Sequence, residues 1–254
     1  MAWRKTYDNP EPQRVNKWLA QQGVCSRREA EALIAEGKVR IDGQRVDDPG
    51  RKIESGQTLE LEDSGAAAAF TAVLNKPVNC VSSQPEKDQV PAARLLTAAN
   101  RVGAGETPSK HASLAPLGRL DQDSRGLLVL SEDGVLAKAL VGPESKLDKE
   151  YLVRVTGQIT DRKLVLLRHG LELDGRSLKP AKISTVEPQR LRFILNEGRK
   201  RQIRRMCELV DLEVTDLLRL RIGPLKLGEL QEGKWRVLLP GERQALIQSS
   251  MGKS

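Results

Sequence analysis

The sequence predicts an α+β protein: a small α-α-β domain followed by a larger mixed, mainly antiparallel β-sheet domain with flanking helices. Three observations lead there. Residues 13–62 compress two short helical patterns and a hairpin into one module. Beyond residue 70, strand and helix patterns alternate irregularly. No βαβ rhythm and no internal repeat accompanies them, which disfavours a doubly wound sheet. The expected divisions are a disordered lead-in at 1–12, the module at 13–62, a linker at 63–69, the large domain at 70–245 and a flexible tail at 246–254.

In the module, Val15, Trp18 and Leu19 share one helical face and Gly23 follows as a stop. Ser26-Arg27-Arg28-Glu29 has the capping-box pattern, in which serine and glutamate side chains satisfy each other's orphan amides. The helix it opens runs through Leu33 and Ile34 to Gly37. Val39–Ile41, Asp42-Gly43 and Arg45-Val46 read as a hairpin around a strong two-residue turn, and Leu59–Leu61 as a further strand. Asp63 to Ala69 is a small-residue joint.

In the large domain, strands are expected at Thr71–Asn75, Leu127–Leu130, Tyr151–Val155, Leu191–Leu195, Val214–Ile222 and Lys234–Leu238. Helices are expected at Thr160–His169 and Gln202–Leu209. Residues 98–112, rich in Gly, Ala, Ser and Thr without periodicity, read as a mobile surface insertion.

Composition narrows the chemistry. Of 254 residues, 39% are hydrophobic and 30% charged, with no apolar run of 18; no membrane-spanning helix is expected. The first ten residues lack the apolar core of a secretory signal, so a cytoplasmic location is expected. Cys25, Cys80 and Cys207 are odd in number and far apart, so neither a disulfide framework nor a zinc site is indicated. The only histidines are His111 and His169, which argues against Ser/His/Asp chemistry and His-ligated metal.

The net charge is +8, and residues 190–205 alone carry seven basic side chains against one acidic. Residues 1–62 hold eleven of each sign. One-sided charge in a short segment favours a polyanionic partner, because each phosphate neutralised releases counterions. Arg27 and Arg28 stand at a helix start whose free amides also suit phosphate, although solvated surface explains two such arginines equally well.

The stretches Arg14–Ala20 (RVNKWLA), Cys25–Glu31 (CSRREAE) and Gly37–Gly43 (GKVRIDG) resemble the small RNA-binding domain of the ribosomal-protein-S4 type. That resemblance implies RNA contact through Lys17, Arg27 and Arg28.

Asp121 lies in a polar, glycine-bounded loop between apolar segments. From spacing alone, such an Asp reads as a catalyst or as a turn cap, and the cap is the commoner case. Pro116–Leu130 (PLGRLDQDSRGLLVL), however, resembles the signature loop of the pseudouridine synthases, and more narrowly of the RsuA/RluB/RluE/RluF-type family acting on ribosomal RNA. Leu74–Pro77 (LNKP), Lys149–Val153 (KEYLV), Asn196–Met206 (NEGRKRQIRRM) and Leu220–Leu225 match further motifs in the same order.

The resemblance implies isomerisation of a uridine to pseudouridine in ribosomal RNA. Asp121 would be the essential carboxylate, Tyr151 the stacking aromatic and Arg204 the partner of Asp121. Ile203 would lie beside Arg204, and Arg119 would hold the displaced nucleotide. Arg199, Lys200, Arg201 and Arg205 are expected to grip phosphates. The reaction neither gains atoms nor changes redox state, so no cofactor and no metal are expected. The stretch Arg201–Glu208 reads closest to RluF-like enzymes, which points to large-subunit (23S) ribosomal RNA, with small-subunit RNA or a non-catalytic assembly factor as alternatives. A monomer is the expected state.

Overall fold

The computed structural model describes residues 3–22, 24–25, 27–62, 69–83, 85–86, 88–109 and 112–250, omitting the side chain of Arg28. The chain divides into two compact units, residues 1–70 with 133–135, and residues 71–132 with 136–254.

The small unit contains β1 (Trp3–Thr6), α1 (Val15–Gln21), α2 (Arg27–Ala35), β2 (Val39–Ile41), β3 (Gln44–Arg45) and β4 (Thr58–Leu61). The sheet order is β1-β4-β2-β3, all antiparallel. Asp42 (φ +50°) and Gly43 (φ +79°) make the expected tight turn. Gly37 (φ +72°) ends α2, with its amide bonded to Ile34 O and that of Lys38 to Leu33 O. Gly23, Ser26 and with it the capping box, and the joint at 63–68 lie outside the described residues.

The disordered lead-in is corrected. β1 pairs with β4 from Trp3↔Leu61 to Thr6↔Thr58. Tyr7 is 1% exposed, and the rings of Trp3 and Tyr7 meet Trp18 edge-on at 5.6 and 5.3 Å. Two aromatics separated by charged residues look solvated in sequence. The available edge of β4 and the α1 face give them something to bury against, and edge-to-face rings add to the gain.

The large unit contains β5 (Thr71–Lys76), β6 (Arg125–Ser131), α3 (Gly134–Val141), β7 (Lys149–Thr156), α4 (Asp161–Arg168), β8 (Lys182–Glu187), β9 (Arg190–Leu195), α5 (Gln202–Glu208), β10 (Glu213–Ile222), β11 (Trp235–Val237) and α6 (Pro240–Ser250). Its main sheet runs β8-β9-β7-β10-β6-β5-β11. Every neighbouring pair is antiparallel except β6 with β10. β6 is buried along all but its first residue, which is why its sequence is a continuous apolar run. β9 alternates, with Leu191, Phe193 and Leu195 inward.

Two apolar clusters flank the centre. One joins α4 and α5 to β7–β9 through Val153, Leu167, Phe193, Met206 and Cys207. The other joins α3 and α6 to β5 and β6 through Val73, Leu127, Leu136, Leu140 and Leu246. β10 contributes Leu217 to the first and Ile222 to the second. The sheet is thereby a single platform with a seam at its middle.

One further expectation is corrected. Leu246 is fully buried in α6, so the tail is helical to Ser250 rather than flexible from residue 246. The 98–112 segment is anchored at its start: the amide of Val102 donates to Trp235 O (2.8 Å), and Trp235 Nε1 donates to Thr97 O (2.8 Å). Residues 110–111 lie outside the described set.

Candidate active site

The loop entering β6 is held by its main chain. Ser82 Oγ donates to Leu120 O (2.6 Å) and accepts from Leu120 N (2.9 Å). The amide of Asn79 donates to Gln122 O (2.8 Å), Arg204 Nη2 to Asp123 O (2.8 Å) and Arg219 Nη1 to Arg119 O (3.2 Å). Arg125, where the loop becomes strand, forms a two-pronged pair with Asp216 of β10 (2.8 and 2.7 Å). With its carbonyls so occupied, the loop presents the side chain of Asp121 to a cleft of about 670 Å³.

Arg119, Tyr151, Ile203, Arg204, Arg199, Lys200 and Arg201 line the same cleft, together with Lys149, Lys179 and Arg219. The carboxylate and the aromatic ring singled out in the sequence therefore line one cleft. Tyr151 reaches the cleft from β7 and is half-buried. Ile203 is buried and belongs to the α5 core.

The pairing of Arg204 with Asp121 is corrected. Arg204, 8% exposed, donates to Asp123 O, to Val214 O (3.0 Å) and weakly to Ser124 Oγ (3.5 Å), and its Nε lies 3.3 Å from the Asp123 carboxylate. The guanidinium beside Asp121 is that of Arg201, 4.0 Å from Oδ2, and it also reaches the Asp123 carboxylate at 3.1 Å. Arg201 opens α5 with a left-handed backbone (φ +51°). This conformation, uncommon for a residue other than glycine, sets the arginine between the two aspartates.

The basic segment also departs from its expected role. Arg199 donates to the carbonyls of Leu173 (2.8 Å), Arg176 (3.1 Å) and Ser177 (2.8 Å), collecting the 172–177 hairpin. Arg205 forms a two-pronged pair with Asp174 of that hairpin (3.0 and 2.6 Å). Both cations are committed to the protein's own hairpin: its tight turn directs three carbonyls at Arg199, and Asp174 holds Arg205 at the surface. Exposed Lys200 makes no ion pair among the described residues. In the small unit, Lys17 and Arg27 are exposed on α1 and at the start of α2.

Sequence reasoning missed two buried cations. Lys76 is fully buried and donates to Pro77 O (2.8 Å) and Cys80 O (2.7 Å). Burial pushes its amine down to about 8, against the upward pull of Cys80, Asp123 and Asp121. Arg219 is 2% exposed and lies in register with Gly126. Nothing in their residue type marks either as buried, yet β5 is buried throughout and Arg219 follows the inward spacing of Leu217.

Among the described residues no group of three His, Cys, Asp or Glu side chains is placed to hold a metal ion, and no helix is long and apolar enough to cross a membrane.

Comparison with known proteins identifies the family. Residues 71–209 match the family model of RNA pseudouridylate synthase, and residues 13–59 that of the S4 domain. The chain is 33% identical over 246 residues to a dual-specificity RNA pseudouridine synthase RluF of Salmonella typhi, covering 95% of this chain and 81% of that one. It is 32% identical over 252 residues to a putative ribosomal large subunit pseudouridine synthase SVR1, chloroplastic, of Arabidopsis thaliana, covering 93% of this chain and 61% of that one. A crystal structure of a pseudouridylate synthase superposes with a TM-score of 0.64 at 27% identity, covering 92% of this chain and 99% of that one. With an S4 domain at residues 13–59 and the synthase match at residues 71–209, the chain belongs to the RNA pseudouridylate synthase family.

Proposed function

We propose that the chain converts one uridine of large-subunit (23S) ribosomal RNA to pseudouridine, with Asp121 as the essential carboxylate. The observation that carries this is the convergence of Asp121, Tyr151 and Arg119 with exposed cations in one cleft. A stacked base is out of reach of any side chain, so the nucleotide is extruded at a cost of a few kcal/mol and offered the Tyr151 ring as a new stacking face. The N1–C1′ bond breaks, the uracil rotates, and a C5–C1′ bond forms. The C5 hydrogen leaves to solvent and N1 takes up a proton, so atoms and charge balance without an added reactant.

In this reading Arg119 and Lys200 hold phosphates flanking the extruded nucleotide, and Arg201 exchanges its aspartate contacts for phosphate on binding. Arg204 keeps the loop in place from below. Lys17 and Arg27 of the S4 unit dock on the same RNA, as the resemblance also implies for Arg28. The enzyme acts as a cytoplasmic monomer and needs neither metal nor cofactor.

The test is tritium release from 5-tritiated uridine transcripts of each ribosomal RNA, with the modified position mapped by carbodiimide-primer extension. Release from 23S RNA alone is the expected result. Release from 16S RNA alone would move the substrate to the small subunit. Binding to both transcripts without release would make the chain an assembly factor that has kept the fold.

A further inference from the structure

We infer that Arg219 is a positioning residue for the isomerisation, fixing the loop that aims Asp121 at the base beside Tyr151. The inference rests on the reading of Asp121 as the reacting carboxylate. β10 lies between β6 and β7, so one residue of this strand has access to both halves of the cleft. Arg219 stands in register with Tyr151 of β7 on one side and Gly126 of β6 on the other. Its Nε donates to Leu127 O (2.7 Å) and its Nη1 to Arg119 O (3.2 Å). One guanidinium thus ties the chain two residues before Asp121 to the chain six residues after it. The planar fork fixes the angle between those two carbonyls, which a single ammonium centre does not.

Three features mark the arrangement as more than packing. Arg219 is 2% exposed and has no carboxylate within 4.0 Å among the described residues, an arrangement that an apolar side chain would replace at lower cost. Its Nη2 is buried without a hydrogen-bond partner and the residue lines the cleft. Gly126 admits it: a Cβ there would lie 2.4 Å from Arg219 O and 2.7 Å from Arg219 N. The positive charge is felt across the cleft floor, where burial and then Arg219 hold the Lys149 amine below its ordinary range.

The experiment compares Arg219→Lys and Arg219→Gln with the parent enzyme, using single-turnover tritium release, KM, the salt dependence of KM and thermal unfolding. The expected result is a single-turnover rate lowered about 100-fold, as for a group displaced by about 1 Å. KM should stay within about threefold, with an unchanged salt slope and a cooperative unfolding transition, and the lysine variant should be partly rescued relative to glutamine. Rates within about threefold of the parent, or a loss carried by KM, would overturn the inference, as would failure of both variants to fold. Asp121→Asn is the control that separates the two readings: its normal turnover would remove the role of Asp121 itself, whereas an inactive Asp121→Asn beside a fully active Arg219→Lys would remove only that of Arg219.

Discussion

The two polar segments that meet in the cleft are held in opposite ways. The loop 119–125 is gripped by others: its carbonyls accept from Ser82, Asn79, Arg204 and Arg219, and the Asp121 side chain stays available. The basic segment 199–205 does the gripping: Arg199, Arg204 and Arg205 each close several bonds to other parts of the unit. Main-chain anchoring frees side chains for chemistry, and side-chain anchoring consumes them. A cluster of five bases therefore presents far fewer free charges to RNA than its sequence advertises.

The largest effect that sharpens this comparison is expected from Asp121→Asn. The loop geometry does not depend on that carboxylate, so RNA binding and unfolding temperature should hold while tritium release falls more than roughly 10³-fold. A gel-shift and a melt alongside the rate check it.

Next is Gly126→Ala, which attacks the loop from its anchored end. The added Cβ meets the Arg219 backbone at a φ of +109°, so overpacking and backbone strain together should cost about 3 kcal/mol and lower the melting temperature by about 10 °C. A melt within about 2 °C of the parent would mean that β6 and β10 separate easily.

Lys200→Ala and Arg199→Ala should then divide. The lysine variant should reduce the slope of log KM against log salt by just under about 1, as for one phosphate contact, with stability unchanged. The arginine variant should leave the slope alone and cost about 1–3 kcal/mol, because carbonyls of the 172–177 hairpin lose their donor. The reverse pattern would break the distinction between gripped and gripping segments.

Acid should act on the ion pairs that tie the strands. Hydrogen bonds from Arg125 hold Asp216 below the ordinary carboxylate range, and those from Arg221 of β10 (2.7 and 2.9 Å) do the same for Asp148, just before β7. Stability from a depressed carboxylate is present in full above its unfolded value, near 4, and is lost as pH falls through the lower folded value. The melting temperature should fall more steeply below about pH 4, and Asp216→Asn should flatten that fall.

The smallest effect concerns thiols. Burial pushes Cys25 and Cys207 up to about 12, so alkylation by iodoacetamide at pH 8 should be negligible in the native protein and rapid after unfolding.

Much of this protein is legible in its sequence. The apolar run of β6, the alternation of β9 and the Asp42-Gly43 turn are periodic or stereochemical signals carried within a few residues. The motif loop and the tyrosine motif marked Asp121 and Tyr151, and both line the cleft. The lead-in strand was not legible, because Trp3 and Tyr7 bury only against an edge and a helix face contributed by residues far along the chain. Local sequence therefore determined the elements and the residue types available for chemistry. Tertiary structure alone decided which charges are free. Whether an arginine reaches a phosphate, a carboxylate or a carbonyl depends on acceptors brought from distant strands, so Arg201 rather than Arg204 stands beside Asp121, and Arg219 lies beneath the loop.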